Sequence, residues 1–220
     1  MTSFLERWAG KASALATFGD SITEGLTIPE MPARWANRLA SRLGARLYNR
    51  GISGTVMQSS PAAGGAPRDH NGHGRFYRDL LGAERGDVLA ILYGTNDARY
   101  VGAPHSFGAA GFVRDYRAVL TGLIAAGYLP EAIAIGSPSH LPDAGFAVGS
   151  DGFAGQSRET YQSFVPLVQA LAIEFGCYYA PVNERMAAEG GDALILPDNV
   201  HPNAAGHGRI ADISAGATRL

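Results

Sequence analysis

Apolar runs alternate with amphipathic segments along most of the chain. Residues 15–18 form a short apolar run that stops at Gly19. Over 31–43, Trp35, Leu39 and Leu43 recur every four residues while Arg34, Arg38 and Arg42 share another face. That spacing predicts an amphipathic helix, with Gly44 where a C-cap belongs. Residues 46–50 read as a second strand ended by Gly51-Ile52-Ser53-Gly54. A short helix is expected over 76–83. The unbroken apolar run 88–93 then fits a central strand buried on both faces of a parallel sheet. A helix over 111–126 carries Phe112, Tyr116, Val119, Leu123 and Ile124 as its stripe and ends at Gly127. A strand over 132–136, a helix over 157–175 kinked by Pro166, a strand over 177–180, a helical segment over 183–189 and a last helix from about Asn203 complete the pattern.

The order β-α-β-α-β-α-β-α-β-α predicts an α/β fold with five parallel strands and helices on both faces. In such sheets ligands bind beyond the carboxyl ends of the strands. The residues just past the first three strands are Ser21, Gly51 and Asn96, which places all three at one edge. Two stretches rich in Gly, Pro and Ser, 59–74 and 137–156, read as long loops able to shape a pocket there.

Composition narrows the picture without changing it. A chain of 220 residues, 46% hydrophobic and 17% charged, supports one domain spanning 1–220. A formal net charge of −2 offers no electrostatic footprint for nucleic acid. No segment reaches the roughly 20 apolar residues of a membrane helix, and residues 1–11 lack a signal-peptide pattern. A cytoplasmic location without membrane insertion is therefore the expectation. The single cysteine, Cys177, lies in an apolar stretch and reads as a buried, inert thiol.

The chemistry concentrates in three places. In Gly19-Asp20-Ser21-Ile22-Thr23-Glu24-Gly25, an apolar strand feeds a sharp turn that carries a serine. Two readings stand on local grounds: Ser21-x-x-Glu24 spells a capping box, and a strand-to-turn serine is also how α/β hydrolases present a nucleophile. Among six histidines, only His201 has a carboxylate at short, rigid range, in Asp198-Asn199-Val200-His201-Pro202. Pro202 disfavours helical geometry at His201, so Asp198 can hold one ring nitrogen and leave the other for Ser21. A developing oxyanion could receive the Ser21 amide, the Gly51 amide and the Asn96 side chain.

These blocks resemble those of the SGNH hydrolases, a branch of the GDSL esterases and lipases. Gly19-Asp20-Ser21-Ile22 is similar to the first block, Gly51 to the glycine block, Gly94-Thr95-Asn96-Asp97 to the third and Asp198-x-x-His201 to the last. The resemblance implies a flavodoxin-like three-layer α/β/α sandwich with Ser21 as nucleophile, His201 as base and then acid, and Asp198 as its partner. It also implies an oxyanion hole of Ser21, Gly51 and Asn96, with no metal or organic cofactor. The expected activity is hydrolysis of small or carbohydrate-linked acyl esters. Acyl transfer from the same acyl-enzyme and a non-catalytic carbohydrate-binding module are the alternatives. Asp20, Tyr93, Asp97 and Arg99 flank these blocks and are expected to contact substrate. Tyr100, Phe146 and Phe153 could also shape the pocket. Arg68 and Arg75 could meet an anionic or sugar-like group, and Asp69-His70-Asn71-Gly72-His73 reads as a polar loop rather than a metal fragment.

Overall fold

Five strands run parallel: β1 (Ala14–Gly19), β2 (Arg46–Gly51), β3 (Val88–Leu92), β4 (Ile133–Gly136) and β5 (Tyr178–Ala180). A two-residue strand, β6 (Thr218–Arg219), pairs antiparallel with β5, giving the order β2-β1-β3-β4-β5-β6. The computed structural model describes residues 1–59, 68–99, 107–148 and 156–220. Within them, helices cover both faces of the sheet. Phe4–Trp8, Trp35–Leu43 and Ala204–Ala215 pack together on one face, while Gly72–Leu80, Ala109–Ala125 and Phe164–Phe175 pack together on the other. The predicted parallel five-stranded core is present. The sixth strand and the helix Phe4–Trp8 are additions the periodicity did not reveal, because each is too short to carry a period.

β3 and β1 sit centrally and are buried at every position, as a strand covered on both faces must be. β2 is an edge strand, and its Arg46, Tyr48 and Arg50 remain partly or fully exposed. The helix expected over 157–175 is broken into Arg158–Gln162 and Phe164–Phe175 with Ser163 between them. Pro166 has no N–H to donate to the Gln162 carbonyl, so it falls in the first turn of the second helix, where no such bond is needed, and the break comes just before that turn. Phe146 is buried against Tyr161, with ring centroids 5.6 Å apart, so it packs into the core instead of covering a substrate chain. Burial pushes the Cys177 thiol up to about 12, consistent with an inert core cysteine.

The register aligns Gly51, Gly19, Leu92, Gly136 and Ala180 in one row across the carboxyl edge of the sheet. A single helical turn, Ser21–Glu24, lies directly over the β1 and β2 end of that row. A Cβ on Gly19 would stand 2.4 Å from the Leu92 carbonyl oxygen, and one on Gly51 would stand 2.1 Å from the Glu24 nitrogen. The two paired strands therefore both end in glycine because backbone passes too close for any side chain. From the helical side, the Trp35 indole donates to the Ile22 carbonyl at 3.1 Å, and the Asn49 amide donates to the Thr23 carbonyl at 2.8 Å. The Trp35 amide in turn donates to His207 Nδ1 at 3.2 Å, which ties the last helix to the same turn.

Two outcomes follow from this packing. Gly51→Ala is expected to lower stability by about 1–3 kcal/mol, because the added methyl meets backbone that cannot rotate away; chemical denaturation reads it as a lower midpoint at unchanged slope. The second concerns His207, which is fully buried, and burial together with the nearby Arg34 cation lowers its pKa to about 4. Between pH 6.5 and 4 the unfolded chain binds this proton while the folded chain does not, so this group's contribution falls as pH drops. Asp20 and Asp97, raised to about 7 and about 6 by burial, act in the opposite sense over the same range. His207→Gln isolates the histidine: the stability difference between wild type and variant should shift by about 3 kcal/mol in favour of the variant from pH 6.5 to 4. Denaturation midpoints at both pH values measure it.

Candidate active site

The Ser21 turn starts with a cap, but not the expected one. Asp20 is the N-cap residue, its Oδ1 accepting the Ile22 amide at 3.0 Å, and Ser21 is the first helical residue. Gly25 ends the turn at φ 75°, a left-handed conformation that glycine adopts without steric cost. The capping box that Ser21-x-x-Glu24 spells does not form, because Ser21 is already the first helical residue and the Glu24 amide donates to the Asp20 backbone carbonyl at 3.0 Å. Ser21 is thereby left with its hydroxyl uncommitted to the backbone.

His201 reaches that hydroxyl across 180 residues of sequence. Its Nε2 lies 2.9 Å from Ser21 Oγ, and its Nδ1 lies 2.7 Å from Asp198 Oδ2. With Nδ1–H donating to the carboxylate, Nε2 is the acceptor that faces the serine. Asp198 Oδ1 meanwhile accepts the Val200 and His201 amides, each at 2.9 Å. Partial burial works against the Asp198 carboxylate, but the His201 and Val200 amides and the imidazole outweigh it and hold its pKa below the usual range. The loop itself is a tight reversal: Ile195 bridges Pro202, the Leu196 amide donates to the His201 carbonyl at 2.8 Å, and Asn199 turns the chain at φ 60°. Asn203 caps the last helix by accepting the Gly206 amide at 3.0 Å. The helix cap and the Asp198–His201 contact occur together in this segment.

Asn96 stands on the other side of Ser21, on the short helix Thr95–Arg99 that follows β3. One Nδ2 hydrogen goes to the Thr55 carbonyl at 3.0 Å, and Oδ1 accepts from Arg99 Nη1 at 3.4 Å, which fixes the amide's orientation. Ser21, Asn96 and His201 line one cavity of about 270 Å³ together with Leu26, Thr27, Ser53, Gly54 and Arg99.

Gly51 is not among them. Its N–H donates to the Asn49 side chain at 2.9 Å and its Cα lies beneath Glu24, so the expected oxyanion donor is turned away from Ser21. Gly54, three residues on, lines the cavity instead, at φ 74°. Its amide has no hydrogen-bond partner among the described residues. The left-handed requirement at Gly54 was the available signal, but two glycines in Gly51-Ile52-Ser53-Gly54 could not be ranked from sequence.

The expected substrate contacts divide similarly. Arg99 lines the cavity. Tyr93 and Asp97 are buried and occupied with the chain itself: Tyr93 Oη meets Thr55 Oγ1 at 3.2 Å and accepts from Arg75, while Asp97 accepts the Met57 and Gln58 amides at 2.9–3.1 Å. Asp20, buried as the cap, is equally out of reach of a substrate. Arg75 is 3% exposed, donates to the Gly19 and Arg50 carbonyls, pairs with the Asp79 carboxylate at 2.6 Å and stacks 4.2 Å from the Phe18 ring, so it braces strand ends and its charge is met within the chain. His70 lines a separate groove with Arg68, Asp69 and Arg78, and no group of three or more His, Cys, Asp or Glu that could hold a metal is found among the described residues. Tyr100 and Phe153 lie outside the described residues, as do parts of both long loops. Among the described residues, no helix is long and apolar enough to cross a membrane.

Known structures share this architecture. The chain is similar to a lipase/acylhydrolase from Enterococcus faecalis, at 16% identity over 94% of this chain and 98% of that one, with a TM-score of 0.68. It is also similar to a putative arylesterase from Agrobacterium tumefaciens, at 23% identity over 92% and 96%, with a TM-score of 0.65. The acetylxylan esterase Axe2 from Geobacillus stearothermophilus aligns at 18% identity over 91% of each chain, with a TM-score of 0.65. At these identities the likeness is one of fold. No curated protein sequence matches the chain. Residues 17–209, from the first strand through the last helix, match the model of the GDSL-like lipase/acylhydrolase family. The chain belongs to that family and is a serine hydrolase acting on carboxylic ester bonds.

Proposed function

We propose that the enzyme removes short acyl groups, acetyl foremost, from a carbohydrate or another small alcohol, by way of an acyl-Ser21 intermediate. The observation that carries this reading is the relay Ser21 Oγ–His201 Nε2–Asp198, with separations of 2.9 and 2.7 Å. As Ser21 Oγ bonds to the ester carbon, its proton passes to His201 Nε2, and the ionised Asp198 stabilises the imidazolium. The carbonyl oxygen becomes an oxyanion, which the Ser21 amide, the Gly54 amide and the second Nδ2 hydrogen of Asn96 can receive. The tetrahedral species collapses, the C–O bond to the alcohol breaks, and His201 returns the proton to the leaving oxygen. Water then attacks the acyl-Ser21 carbonyl while His201 takes its proton. The second collapse frees the acid and restores the Ser21 hydroxyl.

The size of the cavity supports a short acyl group. About 270 Å³ lies at the lower end for small-molecule sites, and an unbranched long chain would have to leave it. Among the described residues, Thr27, Ser53, Asn96 and Arg99 bring polar groups within reach of a hydroxyl-rich alcohol, while Leu26 and the carbon atoms of the wall leave an apolar surface that suits an acyl group. The acetylxylan esterase among the fold neighbours points to the same substrate class.

Ser21→Ala is expected to reduce aryl-acetate turnover by about a thousandfold or more and to abolish labelling by a fluorophosphonate. Turnover at the wild-type rate would remove Ser21 from the mechanism. Asn96→Ala should lower kcat by about a hundredfold to a thousandfold with KM little changed, because the lost donor acts on the oxyanion and not on the bound ester. Acetylated xylo-oligosaccharides compared with butyryl and octanoyl aryl esters test the substrate class. A higher kcat/KM on the octanoyl ester would count against it, and a new ester formed with an added sugar would show that an alcohol replaces water.

A further inference from the structure

Glu24 closes the one-turn helix that begins at Ser21, and its side chain takes no part in capping that helix. It crosses to the neighbouring turn. Oε2 accepts the Ser53 amide at 2.7 Å and also a short hydrogen bond from the Ser53 hydroxyl. Ser53 is the residue before Gly54, and both line the cavity that holds Ser21. The rest of the 52–55 turn is tied elsewhere. Thr55 Oγ1 donates to the Ile52 carbonyl at 2.7 Å, and Arg68 Nε donates to the Gly54 carbonyl at 3.1 Å. The Glu24 carboxylate therefore joins the turn carrying Ser21 to the turn carrying Gly54, next to the Gly54 amide itself.

We propose that Glu24 is a positioning residue for the oxyanion hole: its carboxylate sets the separation and direction of the Gly54 amide relative to the Ser21 amide. The proposal rests on the roles assigned above to Ser21 and Gly54. A carboxylate suits the task because one oxygen accepts two donors, and charge-assisted bonds are short and directional. Small displacements matter at such a site. Oxyanion donors work at about 2.7–3.1 Å from the charge, and a misplacement of about 1 Å can cost about a hundredfold in rate. The flanks of the turn are anchored by the Ile52 amide on the Gly19 carbonyl and by Asn96 on the Thr55 carbonyl, and between them Ser53 and Gly54, at φ 74°, are held by the Glu24 carboxylate on one side and by Arg68 on the other.

The experiment measures aryl-acetate kinetics, fluorophosphonate labelling rate and thermal midpoint for Glu24→Ala, Glu24→Gln, Ser53→Ala and the Glu24→Ala/Ser53→Ala pair, with Ser21→Ala as control. Glu24→Ala should lose about tenfold to a hundredfold in kcat with KM within about twofold, and label more slowly in proportion. Glu24→Gln, whose carbonyl oxygen still accepts both bonds, should recover most of that loss. Ser53→Ala should cost about threefold or less, since the amide remains, and should add nothing in the Glu24→Ala background. If Glu24→Ala does not fold, Glu24→Asp, one methylene short, serves in its place with the same expected split. Wild-type kcat in Glu24→Ala, or a loss confined to KM, would overturn the proposal, as would Gln failing as badly as Ala. Ser21→Ala separates the two assignments: if it stays active, the reading of Ser21 itself fails, whereas a dead Ser21→Ala beside a fully active Glu24→Ala rejects only the role of Glu24.

Discussion

The close approach of one helical turn to two strand ends is the constraint on which the site depends. Ser21–Glu24 sits over Gly19 and Gly51, which are register partners, and neither can carry a Cβ without meeting backbone or a buried side chain. Only at this distance can Asn49 and Trp35 hold the carbonyls of Thr23 and Ile22 from opposite sides. The turn is too short to be stable as an isolated helix. It exists because tertiary partners satisfy the groups it leaves open: Asp20 for the Ile22 amide, and the indole and the asparagine for its carbonyls.

Buried carboxylates do comparable work on the facing loop. Asp97 is fully buried yet accepts the amides of Met57 and Gln58 and the Gln58 side chain, which shapes the chain between β2 and the Gly72–Leu80 helix. Burial raises its pKa to about 6 and that of Asp20 to about 7, so both are held against a desolvation cost. What that cost secures is geometry. Asp97 fixes Met57 and Gln58, Thr55 then fixes Asn96, and Asn96 faces Ser21 across the cavity. By contrast, the Asp198–His201 pair stays partly open to water.

Much of this was legible in the chain. The unbroken run 88–93, the four-residue spacing of Trp35, Leu39 and Leu43, and the Asp198-x-x-His201 spacing all carry their meaning locally: the strand forms over Val88–Leu92, the helix over Trp35–Leu43, and His201 meets Asp198. The capping pattern shows the limit. Ser3-x-x-Glu6 and Ser21-x-x-Glu24 are the same signature; the first forms a reciprocal box, with Ser3 and Glu6 bonded both ways, and the second does not. The difference is Asp20, which competes for the amide, and Ser53, which competes for the glutamate. Neither competitor is visible in a four-residue pattern.

Residue types and their short-range spacing were enough for the α/β class, the succession of five parallel strand segments along the chain and the partnership of Asp198 with His201, whereas the order of those strands in the sheet came from the structure. These depend on burial period and on reach over three residues, both of which are local. Which of Gly51 and Gly54 lines the Ser21 cavity, the engagement of Tyr93, Asp97 and Arg75 with the protein itself and the destination of the Glu24 side chain were decided by tertiary contacts. Each is settled by which group arrives first at a given hydrogen-bond partner. Gly51 and Gly54 differ by three positions in the chain. One lies beneath a helix and the other opens onto Ser21, because the turn between them reverses the direction of the backbone after it leaves the sheet.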